Sequence, residues 1–188
     1  MRFEHRATET DASIVDRVWR TGSDAESTMT SAARTCSQLI LTRMRGQLLA
    51  SLRGPETRAT TAPVPANAEF LGIRLTLGTV LRPHPASSLV DGYVPFPVTD
   101  SGRIVIGAEA WEAPTYENVE QFVRRLRDAG LLVRSRLGLE EHIAGHQRAP
   151  AQGPSRQRAA GCGDNPSGLA QAGWPPTLGP GVGGRRNV

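Results

Sequence analysis

The sequence predicts a mainly β protein, a small barrel or sandwich that is followed by one or two helices and a disordered tail. Two patterns indicate the β structure. Residues 70–78 alternate between apolar and polar side chains, which is typical of a strand with one buried face. Residues 38–53 form two shorter alternating runs on either side of Arg45-Gly46. A change of composition near residue 147 marks the end of the predicted folded part.

Length and charge predict one domain with a tail. A chain of 188 residues is long enough for one ordinary domain and an extension. The net charge of +4 lies in residues 147–188, which hold nine glycines and six prolines and show no apolar periodicity. Such a segment cannot bury enough surface to offset its ordering entropy. We therefore predict a domain over residues 1–146 and a disordered Gly/Pro/Arg-rich tail over residues 147–188.

The sequence favours a cytoplasmic protein that does not enter a membrane. Cys36 and Cys162 lie far apart with no CxxC spacing, as expected for a reducing compartment. The first residues contain no apolar stretch typical of a signal peptide. No run of about 18 apolar residues is present, so no membrane span is expected.

The first third of the chain contains the predicted hairpin. Residues 1–13 are polar and predict a frayed terminus. Residues 14–20 alternate loosely and predict a first strand, and the small polar residues 22–31 predict a loop. Residues 38–53 predict a hairpin that turns at Arg45-Gly46, since glycine tolerates the positive φ of a tight turn.

The middle of the chain predicts a loop and then a strand. Residues 54–67 are rich in Pro and Thr, and Pro63 and Pro65 favour a loop because proline cannot donate to a strand ladder. The strand that follows ends at Gly78. The predicted buried face of this strand consists of Leu71, Ile73, Leu75 and Leu77. The predicted opposite face carries Arg74 and Thr76.

The last elements are a short strand and a helix. Residues 103–106 predict the strand. Asn118 is a good N-cap with Gln121 in a capping-box position, and Gly130 is a natural helix terminator. A second, shorter helix is predicted over residues 137–144. The apolar stripe of the first helix consists of Val119, Phe122, Val123 and Leu126.

Several collinear segments within residues 14–146 together carry a family resemblance. The longest is RGPETRATTAPVPANAEFLGIRLTLGT, which begins at Arg53. The others are Val18-Trp19-Arg20-Thr21, Ser88-Leu89-Val90-Asp91, residues 110–118, Phe122-Val123 and Gly130-Leu131-Leu132-Val133-Arg134. These segments resemble the N-terminal sensor half of a bacterial subfamily of AraC-type transcription regulators. The resemblance implies a cupin-like fold that senses a small molecule and is followed by a helix-turn-helix DNA-binding half.

No helix-turn-helix pattern follows residue 146, so the resemblance implies a truncated regulator that retains the sensing half. One interpretation of the tail is out-of-frame translation of a former DNA-binding domain; the other is a natural in-frame disordered segment. In either case we expect no sequence-specific DNA binding. The alternative function is a stand-alone small-molecule-binding or dimerisation module that modulates a full-length paralogue.

The predicted ligand-binding residues are the large amphipathic side chains and one mid-strand arginine. An apolar ligand would use such aromatic side chains at the mouth of a small barrel, and an arginine could anchor an anionic ligand; core packing and a surface charge are the simpler interpretations. These residues are Trp19, Arg74, Trp111 and Tyr116. The expected ligand is an unidentified small-molecule effector. For a homodimer, or a heterodimer with a paralogue, the predicted contact is the helix stripe Val119, Phe122, Val123 and Leu126.

No pattern indicates catalysis or a cofactor. His142 and His146 have helical zinc-ligand spacing, but Ile143 follows His142 where a zinc protease has glutamate, and a solvated linker helix explains the pair better. The predicted strands contain no histidine for a metal-dependent cupin. Cys36 has no nucleophile signature and is predicted to be a small buried side chain. We therefore predict no enzyme activity, catalytic residue, metal or cofactor.

Overall fold

The computed structural model describes residues 3–7 and 14–134, and this part of the chain is mainly β, as predicted. The first strands are β1 (Glu4–Arg6), β2 (Val15–Ser23), β3 (Ser27–Ser31), β4 (Gln38–Met44), β5 (Gln47–Arg53) and β6 (Thr60–Val64). The later elements are β7 (Ala68–Leu75), β8 (Thr79–Leu81), a 3₁₀ turn (Ala86–Ser88), β9 (Tyr93–Phe96), β10 (Arg103–Ile106), β11 (Glu109–Glu112), α1 (Val119–Asp128) and β12 (Leu132–Arg134).

An antiparallel sheet of six strands forms the centre of the fold, in the order β1-β2-β7-β4-β5-β9. Three two-stranded ribbons surround it, formed by β3 with β6, β8 with β12, and β10 with β11. Successive side chains of each strand point to opposite faces of the sheet. The sheet therefore has a core face and a second face, which carries the candidate site.

The core face packs against the helix and two of the ribbons. Ile73 of β7 and Leu39 of β4 are directly opposite in register and both are buried. The same apolar cluster includes Ile104 and Ile106 of β10 and Leu81 of β8. The four apolar residues of α1 complete it: Val119, Phe122, Val123 and Leu126.

The predicted hairpin is confirmed, with β4 and β5 paired from Gln38↔Arg53 to Met44↔Gln47. Arg45 and Gly46 form the turn, with φ values of 51° and 74°. Positive φ at both central residues matches the right-handed twist of the two strands. The predicted faces are also observed, since Leu39 and Leu41 lie on the core face.

The central predicted strand is observed as β7, with one error at its end. Leu71, Ile73 and Leu75 contact the core as predicted. Leu77 does not, because β7 ends at Leu75 and the Leu77 side chain is 40% exposed. The alternation continues in the sequence after the strand has ended in a turn at Gly78, which has a φ of 84°.

Three predicted loops or frayed segments contain strands. Residues 4–6 form β1 and pair with β2, although the terminus was predicted to fray. The predicted loop of residues 22–31 contains the end of β2 and all of β3, and the predicted loop of residues 54–67 contains β6. β1 is only three residues long, and β3 has a mostly exposed, polar pattern, so neither has a clear apolar alternation. Pro63 is tolerated in β6 because this strand belongs to a two-stranded ribbon, where proline can face away from the ladder.

The helix is observed where it was predicted, but its N-terminus is capped differently. Asn118 is the N-cap residue but forms no side-chain capping bond. Its Oδ1 instead accepts a hydrogen bond of 2.7 Å from the backbone N–H of Thr115, so the predicted capping box with Gln121 is not observed. The C-terminus has a Schellman motif: the N–H of Leu131 bonds the carbonyl of Leu126, and Gly130 has a φ of 70°.

Several predictions concern residues outside the described part. These are the second helix over residues 137–144, the His142 and His146 pair, the domain boundary at residue 147 and the tail. Within residues 3–7 and 14–134, no helix has the length and apolar character needed to cross a membrane.

Candidate functional site

A row of polar residues crosses four strands on the second face of the six-stranded sheet. Arg17 of β2 is directly opposite Arg74 of β7. Arg74 is also opposite Gln38 of β4. Gln38 is in turn opposite Arg53 of β5. We call these four residues the arginine row. Like charges directly opposite each other destabilise a sheet, so this row needs neighbouring negative charge.

Two acidic residues neutralise two of these arginines. Asp16 lies at a β-bulge and forms an ion pair with Arg74. Glu56 accepts a hydrogen bond of 2.6 Å from Arg53, and the two side chains are only 7% and 12% exposed, respectively. The Thr60 hydroxyl also donates to Glu56, at 3.1 Å. The Arg53–Glu56 pair is therefore a buried, hydrogen-bonded ion pair at one end of the row.

Arg34 adds a further positive charge beside the row. It precedes β4, and its backbone carbonyl accepts a hydrogen bond of 2.7 Å from the N–H of Glu56. Burial lowers the pKa of the Arg34 guanidinium. The negative charge of Glu56 raises this pKa, and the positive charges of Arg74 and Arg53 lower it further. Its side chain forms no hydrogen bond with any residue that the structure describes. Arg34 is therefore a half-buried cation that forms no ion pair with a described residue, although the charge of Glu56 acts on it.

Gln38 is an unsatisfied amide in the middle of the row. The residue is 6% exposed, and its Oε1 is buried without a hydrogen-bond partner within the described ranges. An amide group has two donors and one acceptor, and leaving a buried one unbonded costs about 1–3 kcal/mol. A polar group in this state is a candidate contact for a ligand.

Aromatic side chains form the wall next to the row. The Trp19 indole lies across Gly72, its partner on β7, so closely that a Cβ on Gly72 would be 1.9 Å from indole Cε2. The ring of Phe3, just before β1, is 5.7 Å from the Trp19 ring. Phe70 and Met29 pack on the same side as Trp19. The absence of a side chain at Gly72 leaves room for the indole against the sheet.

The arginine row and this aromatic wall line one cleft, which we call the arginine cleft. Its volume is about 380 Å³, near the lower end of the range of about 300–1,000 Å³ for small-molecule sites. Four arginines line it, and none of the described residues that line it is acidic. The cleft combines guanidinium groups, which are suited to an acidic group, with aromatic side chains, which are suited to a ring.

Two other clefts have a different character. One of about 690 Å³ lies along the β4–β5 hairpin and is lined by Arg43, Arg53 and Asp100, with Phe96 as its aromatic residue. Another, of about 430 Å³, lies beside Tyr116 and is lined by more glutamates than arginines. Neither combines an excess of arginine with several aromatic rings.

The structure brings together two of the four predicted ligand-binding residues. Trp19 and Arg74 both line the arginine cleft. Tyr116 lines the cleft of about 430 Å³, where the guanidinium carbons of Arg6 and Arg20 are 5.0 and 4.5 Å from its ring centre. Trp111 is 6% exposed and belongs to the core. Tyr116 and Trp111 are therefore separate from the site formed by the other two.

The four residues predicted for dimerisation are buried within their own chain. Val119, Phe122, Val123 and Leu126 are each at most 4% exposed and pack in the main core. They cannot contact a second chain while the domain keeps this fold. A dimer through α1 would have to use its opposite face, which carries Arg124, Arg125 and Arg127.

The sequence analysis placed three of the site residues in predicted strands but did not predict that they belong to a site: Gln38, Arg53 and Arg17. Arg34 was also missed, since it lies outside any periodic segment. A signal for one pair was present, because a hairpin that turns at Arg45-Gly46 places Gln38 opposite Arg53.

The described residues contain no group of three or more His, Cys, Asp or Glu side chains arranged to hold a metal ion. Cys36 is half-buried and not in a disulfide. In the comparisons with known proteins, no family model, curated protein or solved structure matches the chain.

Proposed function

We propose that the domain binds a small organic anion in the arginine cleft and acts as a sensor domain. The single observation that supports this most strongly is Arg34, a half-buried cation that lies beside other arginines and forms no ion pair with a described residue. A bound carboxylate would accept hydrogen bonds from its guanidinium and offset the repulsion from Arg53 and Arg74. The adjacent Trp19 would contact the apolar part of the ligand.

The regulatory part of the proposal rests on the sequence resemblance. In an AraC-type regulator, a domain of this kind senses an effector, and a separate domain binds the promoter. We propose that the described domain corresponds to the sensing part and that this chain does not recognise a DNA sequence by itself. A gel-shift assay at physiological salt should then show no preference for any promoter fragment, and a defined footprint would contradict this.

Ligand-observed NMR on the full chain tests the binding proposal with three probes of similar size. Benzoate is an anion, benzamide is neutral and benzylammonium is a cation. Benzoate should bind at least tenfold more tightly than benzamide, and benzylammonium should not bind, because the cleft is positively charged. Equal affinity for benzoate and benzamide would refute the proposal.

A matched pair of variants locates the binding. Arg34→Gln removes the half-buried cation that has no ion-pair partner among the described residues, and it should reduce benzoate affinity at least fivefold. Arg124→Gln removes an exposed arginine on α1 and should leave the affinity unchanged. Thermal unfolding of both variants checks that each remains folded. Equal benzoate affinity in the two variants would exclude the arginine cleft as the site.

A further inference from the structure

The charge balance of the arginine cleft restricts the class of ligand. Arg17, Arg34, Arg53 and Arg74 line it. Asp16 pairs with Arg74, and Glu56 pairs with Arg53. Arg17 and Arg34 form no ion pair with a described residue. Among the residues that the structure describes, Arg17 and Arg34 are therefore the two lining cations without an ion-pair partner, although the charge of Glu56 partly offsets that of Arg34.

The backbones of these two arginines lie on different sides of the cleft, since the Arg34 carbonyl bonds the N–H of Glu56, just after β5. Arg17 belongs to β2, and Arg34 leads into β4, while β7 lies between these two strands. Neighbouring strands are about 4.8 Å apart, so β2 and β4 are separated by about 10 Å. One compact acidic group at either end would leave the other arginine without a partner.

The cleft is also lined by apolar side chains and contains an unbonded amide. The Trp19 indole lies over Gly72, and Ile40 faces the same cleft from the adjacent strand. Gln38 lies in the same row as Arg17 and forms no side-chain hydrogen bond within residues 3–7 and 14–134. Its amide is placed to bond a polar group of a molecule that spans the row.

Building on the proposed function, we propose that the cleft selects a flat ligand with two separated acidic groups. One acidic group binds Arg34 at the β4 end. The second binds Arg17 at the β2 end. A planar ring joins them and lies against Trp19. Two carboxylates on a planar scaffold have this chemistry.

Isothermal titration of the full chain tests this with terephthalate and 4-carbamoylbenzoate. The two molecules have nearly the same shape, but the second has a neutral amide in place of one carboxylate. Terephthalate should bind at least tenfold more tightly than 4-carbamoylbenzoate. Phenyl phosphate, which has its charge on one group, should bind no more tightly than 4-carbamoylbenzoate.

Two arginine variants test which residue binds each acidic group, and a third variant tests the amide. Arg17→Gln changes an exposed residue and should reduce the preference for terephthalate over 4-carbamoylbenzoate to less than threefold. Arg34→Gln should weaken the binding of both probes. Gln38→Met should weaken both probes without changing the preference between them, because it leaves the charges in place.

The outcomes separate this inference from the proposed function. If 4-carbamoylbenzoate binds as tightly as terephthalate, and both bind more tightly than benzamide, the anion site stands and the two-charge inference is wrong. If phenyl phosphate binds most tightly, the two charges act on a single group, and the inference is again wrong. If no anion binds more tightly than benzamide, the proposed function itself fails.

Discussion

Replacing Gly72 with alanine should destabilise the protein because of one aromatic ring. A Cβ at this position would lie 1.9 Å from Cε2 and 2.2 Å from Nε1 of the Trp19 indole. The ring must therefore move by roughly 1.5–2 Å to restore ordinary carbon contacts of about 3.5–4.0 Å. The indole would lose its position on the sheet and its contacts with Phe70.

The magnitude follows from two opposing effects. Overpacking of this kind costs about 1–3 kcal/mol. Alanine in place of a strand glycine recovers about 0.5–1 kcal/mol, because the unfolded chain has less freedom to lose. We expect Gly72→Ala to lower the free energy of unfolding by about 1–2 kcal/mol, measured by urea unfolding and circular dichroism.

Gly22 provides a matched control on the neighbouring strand. A Cβ on Gly22 would meet only the carbonyl oxygen of Ala68, at 3.7 Å, which is an ordinary contact. Gly22→Ala should therefore be neutral or slightly stabilising. In a Trp19→Ala background the clash is absent, so Gly72→Ala should cost almost nothing. If Gly72→Ala costs the same with and without the indole, or no more than Gly22→Ala, the reasoning is wrong.

Three further predictions concern the ion pairs and the helix end. Glu56→Gln leaves Arg53 buried without a charge partner. The free energy of unfolding, measured by urea unfolding, should therefore fall by about 3 kcal/mol. A loss below about 0.5 kcal/mol would show that the ion pair is solvated. The pKa of Glu117 is lowered from 4.5, mainly by hydrogen bonds from its backbone and from Thr115. The charge of Glu117 should therefore stabilise the fold above pH 4.5, and this contribution should be lost as the pH falls further. The unfolding midpoints of wild type and Glu117→Gln should consequently converge in acid. A constant difference between the two midpoints across the titration would contradict this. In Gly130→Ala the added Cβ would have no neighbouring atom within 4 Å, so only the φ of 70° at this position opposes the change. Thermal unfolding should show that the free energy of unfolding falls by about 1 kcal/mol. An unchanged midpoint would mean that the helix ends elsewhere.

The fold was predictable wherever one face of a strand is apolar and the other polar. Strands β4, β5 and β7 have such a pattern, because one face of each packs in the main core. Strand β3 does not, since Ser27, Thr28 and Thr30 are exposed and only Ser31 is buried. Its position depends on pairing with β6, a contact between distant segments that no local pattern reports.

The candidate site was only partly predictable for a related reason. Trp19 and Arg74 stood out by residue type, and they do line one cleft. Trp111 stood out equally, but its N–H donates to the carbonyl of Ile106 at 3.4 Å inside the core. Residue type alone does not distinguish a buried aromatic from one at a cleft. The arginine row depends on the register of four strands, of which only the hairpin register follows from a turn.

The proline in β9 limits how this protein can associate. β9 is the last strand of the six-stranded sheet, and Pro95 lies opposite Ser51 of β5. Proline has no backbone N–H to donate, and natural proteins use it on outer strands to discourage intermolecular strand pairing. A second molecule therefore cannot extend the sheet through an unbroken ladder on this side. Self-association through this edge would therefore depend on side-chain contacts.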